Sequence, residues 1–229
     1  MKQITLFTLL FLLFTACETA TIPENTVRIE DAKSYHRHHP MDADEQYFIL
    51  DSLTYLGNFP KDADGNLLPE PVRNWTRVTQ LGDTVTNKDL LGTVYIADFF
   101  FTSCPTICPT VKANMLRFYE QHANTPNFKL VSFTIDPKRD TPEAMKEYAE
   151  KLGVTDHDKW WYLHGDRFDT YELDADYLSI AEENPDAPGG FDHSGYIVLV
   201  DEKGFVRSYA SGLDPAEVEH LLENVKLLL

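Results

Sequence analysis

Two cysteines four positions apart, Cys104 and Cys108, lie in the segment Phe99-Phe100-Phe101-Thr102-Ser103-Cys104-Pro105-Thr106-Ile107-Cys108-Pro109. A cysteine thiolate attacks disulfides and also binds soft metal ions, so the question is what would make a thiolate here. The apolar run Val94 to Phe101 precedes the pair, and Val111 to His122 follows it with helical spacing. The pair therefore falls where a buried strand meets the N-terminus of a helix. Backbone N–H groups at a helix start favour negative charge and draw a thiol pKa down from ~8.5 towards neutrality. With Cys108 in the first helical turn, four residues rise ~6 Å and return to the same face. That lies inside the ~4.4–6.8 Å Cα separation that a disulfide tolerates. A redox-active dithiol, its disulfide and a metal ion shared by both sulfurs are all compatible with this spacing, and an inert structural bridge is the less favoured reading.

The elements that must hold these residues follow from hydrophobic pattern and turn signals. Val94 to Phe101, interrupted by Asp98, is nearly continuous in apolar residues, as expected of a strand buried on both faces. The helix after the cysteines puts Val111, Met115, Phe118 and Tyr119 on one stripe. Phe128 to Ile135 reads as a second central strand. Thr141-Pro142-Glu143 then starts a helix whose inner face is Ala144, Tyr148 and Leu152. Trp160 to Leu163 is a short strand, Arg167 to Ile180 a helix, and Ala181 to Asp192 an acidic loop that could cover the site. Tyr196 to Val200 and Phe205 to Tyr209 form a hairpin about Asp201-Glu202-Lys203-Gly204. Asp214-Pro215 opens a last helix with Val218, Leu221, Leu222 and Val225 facing in. Ahead of all this, Trp75 to Gln80 and Thr84 to Thr86 read as a hairpin, with Asn87 capping a short turn through Leu91. From Tyr47 to Trp75 only short strands or loops can be assigned. The order predicts an α/β domain with a thioredoxin-like fold, an added N-terminal β-hairpin and an extra βα unit.

The front of the chain is a targeting segment. Met1-Lys2 followed by the apolar run Ile4 to Phe14 has the form of a signal peptide over 1–16, too short to span a bilayer permanently. Leu13-Phe14-Thr15-Ala16-Cys17 resembles a bacterial lipobox, which makes Cys17 the expected lipid anchor of the mature chain, with Phe14 where Leu is usual. Residues 17–45 read as a lipid-anchored flexible tether, and 46–229 as the thioredoxin-like domain. The cluster His36-Arg37-His38-His39 falls in the tether and is read as solvated rather than as a metal site. Loss of Lys2 leaves 19 basic against 37 acidic residues and takes the formal charge from −17 to −18. Such a chain repels phosphate backbones and anionic lipid surfaces, so nucleic acid is excluded as a partner and membrane contact is left to the lipid. With Cys17 used, one cysteine pair remains in an exported compartment that permits its oxidation.

Three motifs, taken together, resemble the Sco/SenC family of copper proteins. They are Phe101 to Pro109 above, then Thr134-Ile135-Asp136-Pro137-Lys138-Arg139-Asp140-Thr141-Pro142-Glu143, then Asp192-His193-Ser194 ahead of a strand. The resemblance runs from about Leu53 to the C-terminus. It implies one copper ion, Cu(I) or Cu(II), on Cys104, Cys108 and His193. Two thiolates and an imidazole are a soft, three-coordinate set that suits copper, whereas structural zinc normally takes four ligands. It further implies a metallochaperone that delivers copper to the CuA site of cytochrome c oxidase during assembly. The alternative is a thiol–disulfide oxidoreductase that reduces that site's cysteines or other exported thiols through the Cys104–Cys108 pair. The implied partners are the oxidase subunit carrying CuA, and beyond it other periplasmic copper carriers or thioredoxin-like reductants. The implied location is a bacterial membrane, with the domain in the periplasm. A copper-free thioredoxin-like or peroxidase-like enzyme fits less well, since a thioredoxin pair has a two-residue spacer and uses no ligand histidine. Two positions depart from the family pattern: Thr106 stands where Asp is common, and Lys61 to Val72 is longer than the usual lead-in. Asp136 is read either as a turn former or as a residue orienting a ligand. His164 is read as structural, and His122, His157 and His220 as solvated.

Overall fold

The computed structural model describes residues 27–28, 48–50, 53–57, 59–66 and 68–229. The signal peptide, Cys17 and the His36 to His39 cluster lie outside the described residues. Twelve strands are described: β1 (Val27–Arg28), β2 (Phe48–Leu50), β3 (Leu53–Tyr55), β4 (Thr76–Thr79), β5 (Thr84–Thr86), β6 (Val94–Phe100), β7 (Phe128–Thr134), β8 (Trp160–His164), β9 (Ala181–Glu183), β10 (Phe191–His193), β11 (Tyr196–Val200) and β12 (Val206–Ser211). Four α-helices join them: α1 (Cys108–Gln121), α2 (Pro142–Leu152), α3 (Arg167–Asp174) and α4 (Pro215–Leu228). Seven strands form the main sheet in the order β12-β11-β6-β7-β8-β4-β5. β6, β7 and β8 run parallel at its centre, and the flanking strands are antiparallel. This is the expected thioredoxin-like core, with β4–β5 as the added hairpin and β8–α3 as the extra unit. β1, β2 and β3 make a small antiparallel sheet. Its first strand, only two residues long, falls in the stretch read as a tether.

Alternation along β6 assigns the two faces of the core. Asp98 and Phe100 meet Lys112 of α1, while Tyr95 and Phe99 meet Tyr177 on the other side. α1 buries Val111, Met115, Phe118 and Tyr119, the stripe read from the sequence, and α4 buries Val218, Leu221, Leu222 and Val225. Asp214 and Thr141 cap their helices through side-chain oxygens, each with proline following.

Four local expectations are corrected. The inner face of α2 centres on Met145 and Ala149, with Ala144, Tyr148 and Leu152 only partly buried at its edge. The short turn after β5 is capped by Thr86, not Asn87: the Asp89 carboxylate accepts from the Thr86 N–H and hydroxyl, and Asn87 instead accepts from the Trp75 N–H. α3 ends at Asp174, followed by a 3-10 turn, because Leu178 adopts a left-handed conformation that reverses the chain and leaves Ile180 exposed. The stretch read as the loop Ala181 to Asp192 holds a hairpin, in which β9 pairs antiparallel with β10. Three-residue strands with one apolar anchor each carry too little alternation to be seen in a sequence.

Candidate metal centre

β6, β7 and β8 end together, and the site is built on the chain that leaves β6. The Cys104 N–H bonds back to the Phe101 carbonyl in a tight turn, after which Cys108 opens α1 with Pro109 in its first turn. Ile107, at the N-cap, offers no side-chain acceptor. The free helix-start donors turn instead to sulfur. Burial would raise the Cys104 pKa, but it is outweighed by the backbone N–H of Cys108, the His193 ring, the Thr106 N–H and the Cys108 thiol. Together they lower the Cys104 pKa to about 6. Cys108 is deeper, and burial pushes its thiol well above the ordinary range, with only weaker help in the other direction from the Phe101 backbone and Lys112. The pair is thus unequal: Cys104 is the more acidic thiol and Cys108, deeper, the less acidic, both buried and both free of a disulfide.

His193 comes from β10. Its Nε2 stands 3.7 Å from Cys104 Sγ and 3.7 Å from Cys108 Sγ, while Nδ1 lies 3.2 Å from the Ser194 carbonyl. A carbonyl can only accept, so Nδ1 donates to it, and Nε2 is the ring nitrogen that faces both sulfurs. The three donor atoms lie within 4.8 Å of one another, the one such group of His, Cys and carboxylate ligands among the described residues. Thr106, at the position where the family often has Asp, puts its hydroxyl 3.7 Å from Cys104 Sγ. Its Oγ1 reaches the same sulfur without adding a charge.

The Asp136 to Asp140 stretch supports both halves of the site. Asp140 is buried and accepts from the Thr102 hydroxyl, from the Thr102 N–H at 3.0 Å and from the Thr134 hydroxyl at 2.6 Å, so it fixes the turn two residues before Cys104. Asp136 does not touch a ligand. Its carboxylate binds Arg139 Nε, and Arg139 Nη2 donates to the Gly189 carbonyl at 2.9 Å. The guanidinium also lies over the rings of Phe101 and Phe191, which pack at 5.1 Å, and Phe101 meets the edge of His193 at 5.5 Å. Gly189, at φ +84°, is required there, since a Cβ would sit 2.7 Å from the Phe101 ring. Arg139 therefore braces the turn before β10 against the cysteine loop. Neither role was read from the sequence, although both residues fall within a quoted motif.

The other histidines divide as follows. His164 is structural as expected, with Nε2 3.1 Å from the Pro137 carbonyl. His122 is corrected: it is buried against Phe128, with Nδ1 near the Thr125 hydroxyl. His157 is likewise packed, beside Gln80 and Glu150, rather than solvated. His220 is exposed.

Beneath the site lies a feature that sequence reading noticed only as an interruption. Lys112, one turn after Cys108, is fully buried, with Nζ 2.9 and 2.8 Å from the Asp98 carboxylate and 2.7 Å from Ser132 Oγ. The ammonium lies 4.0 Å over Phe100, and Trp160 Nε1 donates to Ser132 Oγ. An acid within an apolar strand and a lysine on the inner stripe of the next helix were the available signal.

The parallel core, its added hairpin and a histidine brought onto a strand-to-helix cysteine pair define a class: thioredoxin-like proteins whose dithiol shares its site with an imidazole. Within that class the chain belongs to the SCO1/SenC family, whose profile matches residues 66–228. It is 29% identical over 159 residues to the SCO1 protein homolog of Bacillus subtilis, covering 68% of this chain and 81% of that one. Among solved structures, it resembles a SCO1/SenC family lipoprotein of Bacillus anthracis at 29% identity and TM-score 0.64, covering 70% of this chain and 96% of that one. It also resembles Bradyrhizobium japonicum ScoI with copper bound, at 26% identity and TM-score 0.56, covering 70% of this chain and all of that one. Sco proteins bind copper and take part in cytochrome c oxidase assembly.

Proposed function

We propose that this protein carries one copper ion on Cys104, Cys108 and His193 and delivers it to the CuA site of cytochrome c oxidase during assembly. The observation that carries the reading is the convergence of two sulfurs and one imidazole nitrogen within 4.8 Å. This donor set matches the soft preference of Cu(I) and can also hold Cu(II). The copper-bound relative supports the choice of metal. Each residue has a task in this reading. Cys104 offers a preformed thiolate, Cys108 adds a second sulfur from within the helix, and His193 supplies the nitrogen whose removal leaves a two-sulfur site. Oxidation of the pair to a disulfide withdraws both sulfurs, so oxidation and metal loading exclude each other.

The deciding experiment is a His193→Ala variant in cells at limiting copper. Cytochrome c oxidase should lose most of its CuA loading, while the purified variant keeps a dithiol able to reduce a partner's disulfide, because thiol exchange needs no imidazole. Near-normal CuA loading would overturn delivery in favour of reduction.

Attachment through a lipid on Cys17, with the domain in the periplasm, belongs to the same proposal. The lipoprotein relative supports it, and among the described residues no helix is long and apolar enough to cross a membrane. The mass of the mature N-terminus is the check: a diacylated Cys17 is expected, and an unmodified terminus beyond it would refute attachment.

A further inference from the structure

Among the described residues, one buried cation has neither a carboxylate nor a partner for each of its buried nitrogens. Arg77, on β4, is 5% exposed, yet its Nε has no hydrogen-bond partner and its Nη1 donates to the Thr76 carbonyl. The other buried cations among the described residues have their polar atoms engaged: Lys112 pairs with Asp98, Arg207 pairs with Asp201, and Lys159 Nζ donates to the Thr125 carbonyl. Burial pulls the Arg77 pKa down, and the carboxylates of Asp169 and Asp166 and the Tyr177 hydroxyl act on it only through space. An isolated buried charge costs several kcal/mol in a protein interior, which makes an unmatched guanidinium a feature in need of a counter-ion.

Arg77 lines an open concavity of about 570 Å³ together with Lys138, His164, Gly165 and Arg167. That volume falls in the range of small-molecule sites. Arg167 is bound to Glu183, and Asp166 is occupied as the cap of α3, accepting from the N–H groups of Phe168 and Asp169. Lys138 is exposed, with no ion pair among the described residues, so two cations face the space with no carboxylate bound to either. The wall is shaped to the arginine. A Cβ on Gly165 would come within 2.3 Å of Arg77 Cδ and 2.5 Å of its Nε, so the glycine leaves the room that the side chain fills.

We propose that this concavity is a binding site for a small free oxyanion, a phosphate or a carboxylate, held by Arg77 and Lys138. A guanidinium presents forked N–H donors that match two oxygens of such a group, and Lys138 adds a point charge at the mouth. The site opens at the carboxyl ends of β7 and β8, the edge of the sheet that also carries the cysteines, but uses none of the metal-centre residues. It stands or falls independently of copper.

Amide resonances of the full-length protein, titrated with inorganic phosphate and separately with succinate against sodium chloride at equal ionic strength, test it. Saturable shifts at Gly165, Asp166 and Arg167 are expected with at least one of the two, and which one responds identifies the oxyanion. Arg77→Met should abolish them and Lys138→Gln should weaken binding several-fold. In chloride alone, Arg77→Met should unfold at a higher temperature than the wild type, since an unmatched buried charge has been removed. Shifts that rise linearly with salt, or that persist in Arg77→Met, overturn the proposal. So does an Arg77→Met protein less stable than wild type in every buffer, which would make the guanidinium a structural part of the wall.

Discussion

Copper affinity in a Cys104→Ala, Cys108→Ala variant is expected to fall by far more than the ~10–100-fold typical of losing a supporting partner around a metal site. Two of three donor atoms disappear, and the remaining His193 is a single borderline ligand held by one carbonyl. Competition against a Cu(I) chelator, with the wild type measured alongside, gives the ratio. The thiolate-to-Cu(II) charge-transfer absorption should vanish in the same variant. Retention of wild-type affinity would show that copper binds elsewhere, and the assignment of this site would be lost. Because Cys104 has the lowered pKa and Cys108 the raised one, iodoacetamide at pH 7 should label the reduced wild type at Cys104 and spare Cys108.

The second large effect is on stability. Lys112→Met should destabilise the fold by about 3–5 kcal/mol, because it strands the Asp98 carboxylate in an interior where only Ser132 remains to bond it. Adding Asp98→Asn should recover most of that loss, since the double variant holds no buried charge and Ser132 can still bond the amide. Urea unfolding of the three proteins measures both numbers. A single-variant loss below about 1 kcal/mol would show that the pair contributes little net stability. Burial lowers the Lys112 pKa while Asp98 opposes it, so the ammonium is held by one specific neighbour rather than by solvent.

Where many residues repeat a pattern, the sequence was readable. The central strands β6 and β7 and the helices α1 and α4 each carry enough apolar residues for period and facing to agree with the structure. Cys104 and Cys108 were legible as a site because residue type and position at a strand-to-helix junction coincide. His193 was legible only through its family motif. The strand that carries it, β10, pairs with a strand 10 residues away in the chain over three positions, and no periodicity survives at that length. Asp140 and Arg139 act through partners 38 and 50 positions distant, Thr102 and Gly189, which a local reading cannot supply. His122 looked solvated because its neighbours in sequence are polar, whereas its neighbour in space is the Phe128 ring.

The imidazole reaches the sulfurs from outside the main sheet. β9 and β10 form a two-stranded sheet of their own, and the braces across to the cysteine loop are Arg139, reaching the Gly189 carbonyl, and the contact of Phe101 with Phe191. The donor set is therefore divided by a seam, with both sulfurs on the main-sheet side and the nitrogen on the two-stranded side. Parting that seam subtracts one ligand and leaves the sheet, α1 and the cysteine pair undisturbed. In the proposed delivery, an ion held there would pass to an acceptor by stepping from three donors to two, at the cost of one buried ring contact and one hydrogen bond rather than of unfolding.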